Sequence, residues 1–188
     1  MGTTFFAINA QNKEQNPLLK KWTGPYGGVP AFNEYKVSDF KPAIEFAIQE
    51  KLSEVDVIAN NPKAPTFENT IAALERSGVS MDRVTTVYGI YRSNLSSPEF
   101  SVIDREMSPK FSEFSDKINQ NKKLFTRVET LYNSKESKKL TSEQQRLIWL
   151  YYTNLVRQGA KLNDKDKEKV ADINKELASL FTRFSQNL

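Results

Sequence analysis

Apolar residues recur along this chain at three- and four-residue steps, the spacing that gathers side chains on one face of a helix. Ile44, Ala47, Ile48, Leu52, Val55 and Ile58 form the first stripe, which Asn60-Asn61-Pro62 ends. Ser38 is the expected N-cap of that helix, with Asp39 favoured beside it and Pro42 tolerated in the first turn. A second helix is predicted from Thr66, with Phe67, Ile71 and Leu74 inward and Gly78 as a left-handed stop. A third, from about Ser80 to Ser96, uses Met81, Val84, Val87, Tyr88, Tyr91 and Leu95. Ser97-Pro98-Glu99 opens a fourth, with Ser97 as cap and Pro98 at the first helical position. It carries Phe100, Ile103, Met107, Phe111, Phe114 and Ile118, and Pro109 predicts a kink near Asp104–Arg105.

A shorter helix is predicted over roughly Lys122 to Tyr132, burying Leu124, Val128 and Leu131. Thr141-Ser142-Glu143-Gln144 matches a capping box, followed by Leu147, Leu150, Tyr151, Asn154 and Leu155 and stopped by Gly159. The last helix starts near Asn163. Its stripe of Val170, Ile173, Leu177, Leu180, Phe181, Phe184 and Leu188 is still running at the final residue, and reads as cut from a longer chain. Strand-like alternation and internal repeats are both missing. The expected fold is all-α, about seven helices in antiparallel hairpins.

Residues 16–37 break this pattern. Pro17, Gly24, Pro25, Gly27, Gly28 and Pro30 exclude regular helix, while Trp22, Tyr26, Phe32 and Tyr35 predict an irregular arm that packs onto the body. Residues 1–15 precede it. Within them Thr3 to Ala10 reads either as the tail of a signal-peptide apolar region ending near Ala10–Gln11, without its basic n-region, or as an ordinary disordered start. The residues leave both open, and with them a periplasmic or a cytoplasmic location. The predicted organisation is a start (1–15), an arm (16–37) and a helical domain (38–188) truncated at its C-terminal end.

Composition narrows the chemistry. The chain has no histidine and no cysteine, so disulfides, thiol catalysis and the commonest general base are excluded. Zinc sites draw on Cys, His and carboxylate, and only carboxylates remain. The 27 basic and 23 acidic residues are mixed along the chain, without the cationic stripe that nucleic-acid binding needs. No apolar run approaches the roughly 20 residues of a membrane span.

The remaining candidates are weak. Asn163-Asp164-Lys165-Asp166 opens like a calcium loop, but Glu168 and Asn174 stand where the loop needs Gly and Glu, so it reads as an acidic helix start. Asp104 and Glu106 point to different helix sides, and Glu68 with Glu75 reads as a solvated face. Gly27-Gly28 lacks a phosphate-loop context. Tyr151-Tyr152 with Arg157, and Arg183 with Gln186-Asn187, could bind peptide backbones, though interhelical hydrogen bonds are the commoner use of such groups. No residue is assigned a catalytic, cofactor-binding or metal-binding role.

Several ordered runs carry a resemblance. Asn16-Pro17-Leu18-Leu19 with Trp22, Gly24-Pro25-Tyr26-Gly27 and Pro30-Ala31-Phe32 come first, then Ala64-Pro65-Thr66-Phe67-Glu68-Asn69-Thr70-Ile71 with Ala73-Leu74-Glu75-Arg76-Ser77-Gly78. Arg105-Glu106-Met107-Ser108-Pro109-Lys110, Phe125-Thr126-Arg127-Val128, Val156-Arg157-Gln158-Gly159-Ala160, Ile173-Asn174-Lys175-Glu176-Leu177 and Phe184-Ser185-Gln186-Asn187-Leu188 follow. Together they resemble the N-terminal portion of the thimet oligopeptidase and oligopeptidase A family of zinc metallopeptidases, most of all its bacterial peptidyl-dipeptidases.

The resemblance implies a role as one wall of a deep channel that admits short, unstructured peptides. It also implies a missing C-terminal catalytic domain as partner, zinc as the cofactor of the longer enzyme, and removal of C-terminal dipeptides as its reaction. The family's zinc motif, His-Glu-x-x-His, has no counterpart here, so the chain alone is expected to be inert. The alternatives are a free-standing helical binding or scaffold module and, further off, a self-contained hydrolase.

Overall fold

A computed structural model describes residues 16–25 and 28–187. Thr3 to Ala10, Tyr26, Gly27 and Leu188 lie outside the described residues. Among the described residues the fold is all-α. Helices α1 (Val37–Ala59), α2 (Ala72–Arg76), α3 (Val79–Asn94), α4 (Pro98–Asn119), α5 (Lys122–Tyr132), α6 (Ser142–Arg157) and α7 (Asp164–Gln186) follow in order. Extended pairing among these residues is confined to one isolated bridge, Thr23 with Val29. The chain divides into two compact units. One draws on residues 16–51, 78–107 and 182–187, the other on 52–77 and 108–181.

In the first unit the arm is anchored by short-range polar geometry. Asn16 accepts a hydrogen bond from Leu18 N (3.0 Å), opening the turn Pro17–Leu19, and its amide donates to the Asp39 carbonyl (2.9 Å). The turn buries Leu18 and Leu19, and Arg83 Nη1 donates to the Leu19 carbonyl at 2.6 Å. The leucines and Tyr35 do the anchoring; Phe32 is exposed and Trp22 half-buried. Gly28 has φ +111°, and a Cβ there would stand 2.6 Å from the Trp22 carbonyl oxygen, so a side chain cannot be accommodated without moving backbone. Phe40 centres an aromatic cluster, with ring centroids 4.7 Å from Tyr91, 5.3 Å from Phe100 and 6.0 Å from Tyr88.

The second unit is centred on α5 and α6. Ile71, Phe125, Val128, Leu131, Ile148, Leu155 and Ala160 form one apolar cluster, and Val55, Ile58, Ala59, Leu74 and Leu124 another. Before α2 the chain makes one widened helical turn, Phe67–Ile71, inside the element expected as a plain helix.

Most end signals act as the local sequence dictates. Thr66 with Asn69 and Thr141 with Gln144 form reciprocal capping boxes, and Ser97 Oγ accepts from Phe100 N at 3.1 Å. Gly78 and Gly159 take φ +86° and +92° after their helices.

Two expectations are corrected. Ser38 lies inside α1, whose start is instead closed by Asp39 Oδ2 accepting from Lys36 N at 2.8 Å. Leu95 is exposed, because α3 ends at Asn94 before its stripe completes another turn. On α6 Leu155 is buried as part of the expected set, with Leu147 and Tyr151 half-buried against the core, while Ile148 joins it and Asn154 is exposed. The apolar stripe of α7 does not point into either core. Ile173, Leu177, Leu180, Phe181 and Phe184 are 56%, 43%, 46%, 65% and 63% exposed.

Candidate functional site

Arg127 is the most connected buried cation among the described residues. It leaves α5 six per cent exposed and reaches the chain between α1 and α2. Nη1 donates to the carbonyls of Asn61 (2.7 Å) and Lys63 (3.0 Å), and Nη2 to Asn69 Oδ1 (2.8 Å) and Thr70 Oγ1 (3.3 Å). The same Asn69 oxygen accepts from Thr66 N in the capping box, so one amide serves both a helix start and the guanidinium. Burial holds the Arg127 pKa below its ordinary value. Its two terminal nitrogens are engaged by backbone, amide and hydroxyl oxygens while Nε is buried without a partner, which makes it a brace and not a reagent.

In the first unit Asp104 is buried on α4. Its Oδ1 accepts from the Tyr88 hydroxyl at 2.5 Å, and Oδ2 accepts from Gln186 Nε2 at 3.1 Å with Arg92 Nε 3.7 Å away. Burial, then the hydrogen bond to Asp104, pushes the Tyr88 phenol far above its usual range. A cleft of about 470 Å³ lies beside this group, lined by Arg92, Ser93, Ser96, Phe100, Ser101, Asp104, Ser185 and Gln186. It offers polar contacts, but both carboxylate oxygens are already engaged, which leaves no free base to activate a serine.

The most unusual surface is α7. Within the second unit its packed face mixes polar groups with the half-buried Val170, Ala171 and Ala178. Lys167, buried, donates to the Gln120 carbonyl (3.0 Å), Asn174 donates to Asp116 Oδ1 (2.8 Å), Ser108 donates to the Ala178 carbonyl (2.9 Å), and Lys175 pairs with Glu113 (2.5 Å). Asp116 Oδ2 and Gln120 Nε2 are buried there without a partner. Burial raises the Asp116 pKa, with the Asn174 hydrogen bond opposing. Polar groups thus face the body, while Ile173, Leu177, Leu180 and Phe181 face water.

The groups singled out in the sequence are mostly structural. Tyr151 donates to Glu75 Oε1 at 2.6 Å, and Tyr152 stacks on Tyr132 (centroids 4.2 Å, planes 5° apart) while Lys161 Nζ donates to its hydroxyl at 3.0 Å. Arg157 and Arg183 are exposed. Gln186 is tied to Asp104 and to the Ser101 carbonyl (3.0 Å). Glu68 pairs with Arg76 and Glu106 with Lys41, so neither joins the carboxylate considered beside it. Asn163 caps α7 by accepting from Asp166 N at 2.9 Å. Among the described residues no three carboxylates converge on a metal position, and no helix is long and apolar enough to cross a membrane.

No protein-family model matches the chain. It is 36% identical over 173 residues to a dipeptidyl carboxypeptidase of Escherichia coli K12, an alignment covering 92% of this chain and 25% of that protein. A Salmonella typhimurium dipeptidyl carboxypeptidase is 34% identical over the same shares. An oligopeptidase A of Haemophilus influenzae is 25% identical over 173 residues, again 92% of this chain and 24% of that protein. The chain therefore spans about a quarter of the length of the curated relatives it matches.

Proposed function

The chain is a relative of the dipeptidyl carboxypeptidases and of oligopeptidase A along nearly its whole length, and from that premise we propose that it is the N-terminal helical wall of a peptidyl-dipeptidase, inert without the catalytic portion. The observation that carries this is the match of 92% of the chain to only a quarter of enzymes named for releasing dipeptides. Its residues would shape the approach of short, unstructured peptides, as packed helices keep their spacing under load.

The reaction and its zinc belong to the missing part in this reading. The residues present do not fit zinc: histidine and cysteine are absent from the sequence, and the described carboxylates form no cluster of three. What this chain supplies is held geometry, with the Arg127 terminal nitrogens and both Asp104 oxygens engaged internally instead of being presented to a substrate.

The test is dipeptide release from the C-terminus of short peptides. The purified chain is expected to show none with or without added zinc. A chimera of the Escherichia coli enzyme in which this chain replaces its matching quarter is expected to show it. Turnover by the chain alone would defeat the proposal.

A further inference from the structure

Helix α7 is mounted with most of its large apolar side chains turned outward. A surface helix ordinarily turns its apolar stripe to the core and its charges to water. Here Lys167 and Asn174 face α4, and Asp116 Oδ2 and Gln120 Nε2 are left buried and unpaired in that seam. Ile173, Leu177, Leu180 and Phe181, spaced four, three and one residues apart along the same helix, are each more than two-fifths exposed. Single exposed apolar residues are ordinary, but a contiguous stripe marks a surface that something covers.

The alignments name the size of the candidate cover. The relatives carry three-quarters of their length beyond what this chain matches. We infer that the outward stripe of α7, Ile173, Leu177, Leu180 and Phe181, is the docking surface for that remaining portion of the peptidase, met there by an apolar helix face. This rests on the wall reading above and adds to it where the two parts join. The polar seam fits the same assignment, since α7 gains little apolar burial from α4 and would draw its main burial from the other side. A second copy of this chain is the competing occupant.

The experiment uses the Escherichia coli chimera described above, with and without Leu177→Ser and Phe181→Ser together. Both side chains are exposed in this chain, so the isolated double variant is expected to keep its helical circular dichroism and urea midpoint. In the chimera the same pair is expected to lower the melting midpoint by about 5 °C or more. An unshifted midpoint in the chimera overturns the docking assignment. So does a concentration-dependent dimer of the isolated chain that the double variant abolishes while the chimera stays unshifted. The melting shift reads the docking and dipeptide release reads the wall function, so an inactive chimera that still melts lower with the variant defeats only the latter. A chimera that does not fold counts against both.

Discussion

The guanidinium of Arg127 binds oxygens from Asn61, Lys63, Asn69 and Thr70, a stretch that closes α1 and opens the widened turn before α2. Replacing it leaves those acceptors to compete for water that a site six per cent exposed does not admit. Arg127→Met is expected to destabilise the chain by about 3 kcal/mol, read as a shift in urea midpoint. A loss under about 1 kcal/mol would show that the fork is decorative. Asp116 makes the opposite case. Burial raises its pKa above the usual 3.8, so the folded chain holds the proton more tightly than the unfolded one. Its contribution is most favourable below the unfolded value and is lost as pH rises through the folded one. Asp116→Asn keeps an acceptor for Asn174 and removes the charge. It is expected to be more stable than the parent by about 1 kcal/mol near neutral pH, with that advantage disappearing towards about pH 3. A variant no more stable at neutral pH would mean that Oδ2 is hydrated.

At the scale of elements, ends were readable and orientations were not. Thr141 and Gln144 satisfy each other's backbone within four residues, so the sequence contains the whole interaction. Thr141→Ala is expected to cost about 1 kcal/mol in thermal unfolding, and an unchanged midpoint would show the first turn of α6 to be frayed already. Gly78, Gly159, Ser97 and Asn163 were legible for the same reason: a cap is a local event. Ser38 does not cap α1, because Asp39, the next residue, reaches back to Lys36 N and closes the start. The Arg127 brace is not legible locally, because its partners lie 57–66 residues upstream. Helical period says which residues share a face and nothing about where that face points. That is why the α7 stripe is legible as a stripe while its outward orientation is not.

For the whole molecule, the absence of histidine and cysteine removes most chemistry at the level of composition, and ordered short motifs carry the kinship that the alignments to the dipeptidyl carboxypeptidases bear out. What remained hidden was which apolar surface the folded chain leaves uncovered, a property of the assembled helices and not of any one of them. That surface makes a last prediction. The native chain should bind a hydrophobic dye such as ANS while retaining a cooperative urea transition, the reverse of a molten globule, in which dye binding accompanies lost packing. Leu177→Ser with Phe181→Ser should remove most of that binding and leave the urea midpoint within about 0.5 kcal/mol of the parent, as for other exposed substitutions. A large loss of stability in the double variant would mean that these side chains are buried in solution and that α7 sits on its body by the apolar face after all.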